Sequence, residues 1–576
     1  MTKNTRLFGI SWPTRAELRT LENSLTGRDF LLYLLFGFLL LTSGFALLGR
    51  LNKHFLVSVP LYGGSIEEGV IGTPRFVNPL LAVSESDKDI TNLVFSGLMR
   101  LDENSKPTLD LAESYTVSED GLVYTFIIKQ GATFHDGKSV TADDVIYTIE
   151  KVSDPTIKSP KRANWEGVTV EKIDERTITF TLRKAYTQFL DATTIGILPK
   201  HLWNDVSNQE FPLSELNEKA VGAGPYKVSS IKQDDNGIPR SYELKRFNDY
   251  INGEAYIEKI YFRFYDNENS LIKALKTGHV DNINSISPEN AASLEADGYE
   301  IMRISIPRVF GLFFNQNKSP VLANKTVVSA MDLAIDKQSL VNTILYGYGT
   351  PLNGPRPKDI EPITNKEESI EEAKAMLDKA GYIVGDDGTR EKISSDKKTT
   401  ERLAFSISTA DISELKDAAF QIRDDLSLIG ISVDVRIYDV GTLNQTIIKD
   451  RDYESLLFGE LITSDPDLFA FWHSSQRLSP GLNVSMYTNT NVDSQLESLQ
   501  TQNDAQKISE LSAKITSTIQ SDRPAIFLYT PSFIYVRDDE AIEGKSKTIL
   551  RSSSNRFDLV GSWYINTDRV WRIFTR

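Results

Sequence analysis

Hydrophobic positions follow three different patterns along this chain, and each predicts a different element. The first is an unbroken run. Phe30 to Leu48 is 19 residues without a charge. As a helix rising 1.5 Å per residue it just spans a hydrocarbon core of roughly 30 Å. The second is a strand–turn–strand signal. Val123 to Ile128 is β-branched and aromatic, and Asp120-Gly121 before it supplies a tight turn, since Gly accepts positive φ. Asp136-Gly137 turns the chain again, and Thr141, three residues before Asp144, forms a capping box for a helix through Val145, Ile146 and Ile149. The third is a switch of period. Leu403 to Thr409 alternates; Ile412, Leu415, Ala419, Ile422, Leu426 and Ile429 then recur at steps of three and four; after Gly430, Ile431, Val433, Val435 and Ile437 alternate again. A strand–helix–strand unit of this length implies a parallel crossover. Upstream, Ser369 and Glu372 predict a capping box for a helix that runs through Ala380 and ends at Gly381.

Charge gives the apolar run an orientation. Lys3, Arg6, Arg15, Arg19 and Arg28 precede it, and only Arg50 and Lys53 follow closely. The positive-inside rule puts the N-terminus in the cytoplasm and the large remainder outside. The competing reading is a cleaved signal peptide, with Gly44-Phe-Ala46 as a small-x-small site. A 29-residue polar lead and a long apolar core favour a retained anchor.

Composition narrows the function by exclusion. At 576 residues, 40% hydrophobic and 25% charged, the chain is globular and too long for one core. A formal charge of −15 with no basic stripe argues against nucleic acid. There are no cysteines, which removes disulfides, zinc–thiolate sites, iron–sulfur clusters, a Cys nucleophile and a lipidated-Cys anchor. The five histidines, at 54, 135, 201, 279 and 473, lack metal spacing. Asp386-Asp387 lies in the polar stretch 383–402, whose spacing fits a solvated hairpin rather than a calcium loop. No G-x-S-x-G, H-E-x-x-H or P-loop occurs, so neither a hydrolase elbow nor an ATPase is expected. Gly222-Ala-Gly224 runs into Pro225 and reads as a turn. His135 sits in a turn and reads as a surface or capping residue. No cofactor and no metal are expected.

The run from Asp110 through Leu-Ala-Glu-Ser-Tyr-Thr-Val-Ser-Glu-Asp-Gly and Phe134-His-Asp-Gly to Thr141-Ala-Asp-Asp-Val145 closely resembles the signature of the family 5 extracytoplasmic solute-binding proteins of ABC importers, the oligopeptide-, dipeptide- and nickel-binding type. Ala220 to Val228, Leu312-Phe-Phe-Asn315 with Ala330 to Lys337, and Thr463-Ser-Asp-Pro-Asp-Leu-Phe469 resemble further segments of that family in the same order. The likeness extends from about Gly69 to about Thr530.

The resemblance implies an α/β architecture, a two-lobed type II periplasmic-binding-protein-like fold with an extra domain inserted in lobe I. Its boundaries would be a tail at 1–29, an anchor at 30–48 and a linker at 49–65. Lobe I would combine 66–96, 221–309 and 530–576, the inserted domain would be 97–220, and lobe II 310–529. Hinge crossings would lie near Phe310–Asn315 and Ala525–Thr530. A solute, preferably a peptide, would be captured between the lobes and handed to ABC permease subunits without chemistry, by a monomeric protein. The implied ligand-binding segments are Val83, Ser84 and Glu85 in lobe I, and Phe458, Gly459 and Glu460 in lobe II, which would pair with the peptide backbone. Many peptide-binding relatives place an Asp four residues before the Pro of the Asp-Pro loop, where it meets the peptide ammonium; here that position is Ile462. Either Glu460 takes over that role, or it faces solvent and the ligand has no free amine. A sensor that presents peptides, and a binder of a glycan or metal chelate, stay open as alternatives.

Overall fold

The computed structural model describes residues 14, 16, 20, 24, 26–185, 188–362, 365–393, 400–502, 504–537 and 542–571. These fall into two compact units, one drawn from 1–61 with 566–576, the other 62–565.

The smaller unit is built on the apolar run. Its helix Gly27–Phe55 contains a stretch, Gly27–Leu48, long and apolar enough to cross a membrane, and none of that stretch is buried by protein. Phe36, Leu40 and Phe45 are among its exposed side chains. The expected linker at 49–65 is more structured than a linker. The helix continues to Phe55, and Leu56–Pro60 pairs antiparallel with Thr567–Trp571. Residues 566–571 therefore belong with this unit rather than with lobe I. Lys3, Arg6, Arg15 and Arg19 lie outside the described residues, as does most of the 1–29 tail.

The larger unit is organised by one strand, Ala525–Arg537, shared by two sheets. Its first half pairs with Arg308–Phe314 and Gly349–Pro351, in the sheet ordered Ser432–Tyr438, Ala404–Ala410, Ser455–Leu461, Arg308–Phe314. Its second half pairs with Glu300–Ser305 and Asn282–Asn284, in the sheet that continues through Ser65–Ile71, Lys259–Tyr265, Pro239–Arg246 and Tyr226–Gln233. The chain passes between the sheets at Pro531–Ser532 and again at Ile306–Pro307, where Thr530 Oγ1 donates to Ile306 O at 2.9 Å. The second of these precedes the expected crossing at Phe310–Asn315. Residues 309–314 and 525–529 read as unbroken apolar runs because central strands are covered on both faces; Leu312, Phe313 and Leu528 are fully buried.

The period switch downstream folds as expected. Ala404–Ala410, helix Ser413–Ser427 and Ser432–Tyr438 form a parallel crossover, with Gly430 at φ +78° between helix and strand. The helix expected to start at Ser369 begins earlier, at Lys366. Asn365 caps it by accepting from Glu367 N–H, and Ser369 Oγ bonds back to Asn365 O from inside the first turn. Residues 383–402 form short strands, Ile383–Val384, Arg390–Ile393 and Thr400–Arg402; 394–399 lie outside the described residues.

The inserted domain is a four-stranded antiparallel sheet, Ala112–Val117, Val123–Ile128, Thr177–Leu182 and Val168–Lys172, with helix Ala142–Ser153. Val123–Ile128 and Thr177–Leu182 alternate between buried and more accessible positions, as expected for a sheet with one face on a core. That core is continuous with lobe I: Phe126, Phe180 and Phe189 share it with Ile66, Leu93 and Phe262. Lobe II has a separate core built on Leu312, Met331, Ile422 and Leu456.

Candidate ligand-binding site

A cavity of ≈ 550 Å³ opens between the lobes and falls within the range of small-ligand sites. Each wall follows from local sequence. On lobe I, Ser84 caps helix Glu85–Val94: its hydroxyl accepts from Asp87 N–H at 3.1 Å, and the Asp87 carboxylate accepts from Ser84 N–H at 3.1 Å. The helix so fixed presents Lys88, Thr91 and Asn92 to the cavity. Its adjoining face carries Asp89 into a fully buried bidentate pair with Arg556, at 2.8 and 2.6 Å. Asn92 also braces this wall, donating to Ser554 O and Asp558 Oδ1 at 2.8 Å each.

The inserted domain contributes Lys161, Asn164, Trp165 and Asp191, and Arg551 reaches in from the C-terminal segment to pair with Asp191 at 2.7 Å. Lobe II contributes only Leu461 and Thr463. Asp467 holds that edge by accepting from Thr463 N–H and Oγ1 and from Ser464 N–H at 2.6–2.9 Å. The lobes touch beside the cavity. The inserted domain's Gln188 donates from Nε2 to Ser464 Oγ and, at 2.8 Å, to Asp467 Oδ1.

The residues expected from the sequence flank this cavity rather than line it. Val83 is exposed, the Ser84 side chain is engaged in its cap, and Glu85 meets Lys88 at 3.4 Å. In strand Ser455–Leu461, Phe458 and Gly459 are half-buried and Glu460 lies opposite Val309 in register. Glu460 does not face solvent: it is 2% exposed. Its Oε2 has no hydrogen-bond partner among the described residues, and burial pushes its carboxyl well above the usual range. Alternation along the strand turns Glu460 away and Leu461 toward the cavity. Ile462 packs in the lobe II core, its N–H donating to Pro307 O at 2.7 Å. Lys88, Lys161, Trp165, Asp191 and Arg551 carry no local motif, and nothing in the sequence singled them out.

His135 is a structural residue, half-buried rather than on the surface. Its Nδ1 accepts from Gly222 N–H at 3.3 Å, so Nε2–H donates to Gly224 O at 3.0 Å. This needs the neutral ring, and burial holds the imidazole down at about 4. The turn it clamps requires glycine: a Cβ at Gly222 would lie 2.1 Å from Val94 O, and one at Gly224 2.5 Å from Leu93 O. The two segments thus lock the inserted domain's hairpin against the cavity helix.

Two α/β lobes joined by crossing strands, with a cavity between them, define a solute-binding protein. The family model for bacterial extracellular solute-binding proteins, family 5, matches residues 106–478, and the chain belongs to that family. It is 29% identical over 490 residues to the oligopeptide-binding protein AppA of Bacillus subtilis, covering 82% of this chain and 87% of AppA. The structure of that AppA with a nonapeptide is similar at a TM-score of 0.64 and 26% identity, covering 88% of this chain and 100% of the other. The ABC transporter substrate-binding protein CtaP of Listeria monocytogenes is similar at a TM-score of 0.71 and 26% identity, covering 88% and 99%. The glutathione-binding protein GsiB of Salmonella paratyphi A is 25% identical over 477 residues, 80% of this chain and 87% of GsiB.

Proposed function

We propose that the protein captures peptides between its lobes, closes on them by hinge motion and delivers them to the permease of an ABC importer, without chemistry on the ligand. The observation that carries this reading is the interlobe cavity, whose wall is drawn from lobe I, the inserted domain and lobe II together, so a solute there contacts everything that closure would move. The relation to AppA supports a peptide as that solute. The ligand backbone would run between the start of helix Glu85–Val94 and the end of strand Ser455–Leu461, near Val83–Glu85 and Phe458–Ile462. The exposed apolar face of Gly27–Leu48 supports a membrane anchor, with the binding unit outside the cytoplasm.

Mass spectrometry of the solute that co-purifies with the detergent-solubilised full chain tests the ligand class. Near-stoichiometric peptide is expected; a glycan or a metal chelate in its place would contradict the peptide reading. N-terminal sequencing from native membranes tests the anchor, and a chain beginning after Ala46 would contradict it.

A further inference from the structure

The charges on the cavity wall do not balance. Four lining side chains are ionisable: Lys88, Lys161, Asp191 and Arg551. Asp191 and Arg551 neutralise each other at 2.7 Å, and Arg551 also donates to Ser105 O at 2.6 Å. Among the described residues Lys88 has an ion pair with Glu85 alone, at 3.4 Å and half in solvent, a pairing worth little. Lys161 has less. It follows helix Ala142–Ser153 and opens the turn Arg162–Trp165, and its ammonium has no hydrogen bond or ion pair among the described residues. The side chain is solvent-accessible, yet the surrounding walls and then the charge of Lys88 hold its ammonium below the ordinary lysine value, with no carboxylate acting against them.

Two further observations point the same way. Thr91, one turn beyond Lys88 on the same helix face, has a buried hydroxyl with no partner among the described residues. Opposite it, lobe II presents Leu461 and Thr463, while Asp467 is already committed to Thr463, Ser464 and Gln188. A cationic group entering the cavity would find no unpaired carboxylate on its wall; an anionic group would find two ammonium groups beside the unpartnered Thr91 hydroxyl.

We propose that Lys88 and Lys161 form an anion subsite in the interlobe cavity, and that the solute places a carboxylate there. The inference rests on the cavity being the ligand site. A peptide could supply the group from its C-terminus or from an Asp or Glu side chain, and either source satisfies the same two cations.

Titration calorimetry of the full chain with tetra-alanine as the free acid, tetra-alanine amide and Ala-Ala-Glu-Ala amide separates these sources. The free acid is expected to bind at least about tenfold more tightly than the neutral amide. Tight binding of the Glu-containing amide would show that a side-chain carboxylate serves as well. Lys161→Gln combined with Lys88→Gln should level the acid and the neutral amide, and Lys161→Arg should restore the difference. Circular dichroism of each variant checks that the fold is kept. Equal affinity for acid and neutral amide in the wild type, or a difference that survives the double substitution, overturns the proposal. If no peptide binds, the peptide reading fails, and glutarate tests the subsite alone. A glutarate response that requires Lys161 sustains the subsite, and its absence overturns it.

Discussion

The two walls of the interlobe cavity are built on different principles. The lobe I wall is chemically specific and rigidly backed. Behind helix Glu85–Val94, Arg556 binds Asp89 and lies 3.5 Å from Glu68, and Tyr535 and Asn282 hold the other Glu68 oxygen. Arg556 also lies over the ring of Phe557, at 4.1 Å. The lobe II wall is short and nearly free of charge, Leu461 and Thr463 held by one carboxylate. The contrast teaches a division of labour. On the proposed reading, recognition would reside where the backing is buried and paired, while the lobe that closes would bring a capped loop whose Ser464 meets Gln188 of the inserted domain.

The contrast can be broken most strongly at Arg556. Replacing it by Met strands Asp89 and Glu68 in the core, at a cost of about 3–5 kcal/mol. Affinity should fall with stability, because the same helix carries Lys88 and Thr91. The control is Lys337→Met in lobe II, which takes the buried ammonium from Asp332 and Glu361, each at 2.9 Å, and leaves Asp332 with Arg523 at 2.7 Å. That substitution should lower the melting temperature while leaving the ligand Kd near wild type. Calorimetry of both variants checks this; equal losses of affinity would erase the distinction between the walls.

Acid should weaken the lobe I side next. The folded-state value of His135 is depressed to about 4, below the ordinary 6.5. Its contribution is therefore present above about 6.5 and is lost as pH falls through about 4, to a limit of about 3 kcal/mol. His135→Gln should lose stability at neutral pH and flatten the acid limb of a melting-temperature profile. An unchanged limb would show that the Gly222–Gly224 clamp does not depend on the neutral ring.

Glu460 gives a smaller effect of opposite sign. Its folded-state value is raised by burial, so its contribution is intact below the unfolded carboxylate value and is lost as pH rises through the folded one. Glu460→Gln should raise the melting temperature near neutral pH by about 1–3 °C and change little under acid. A drop in stability at neutral pH would mean that the carboxylate is partnered after all.

Much of the scaffold was legible because its signals are local. Asp120-Gly121, Thr141 with Asp144, and the change of period from Leu403 to Ile437 each specify an element within a few residues, and each element forms there. The start of helix Lys366–Lys379 was misread because Ser369 offers the same capping chemistry as Asn365, and only the fold selects between them. The cavity wall was not legible. Lys88, Lys161, Asp191, Thr463 and Arg551 come from five distant segments, and an isolated Lys or Arg on a solvated stretch looks the same whether it lines a cleft or faces water. Strand alternation puts Glu460 and Leu461 on opposite faces, but burial of the sheet on both sides hides which face borders the cavity.

Gln188 and Ser464 offer the most direct test that the solute is held between the lobes. The chain has no cysteine, so Gln188→Cys with Ser464→Cys introduces the only thiol pair. A short bismaleimide can bridge it after loading with fluorescent peptide. Release from the bridged protein should be at least about tenfold slower than from the unbridged double variant. Equal release rates in the two would place the peptide outside the cavity and contradict the account.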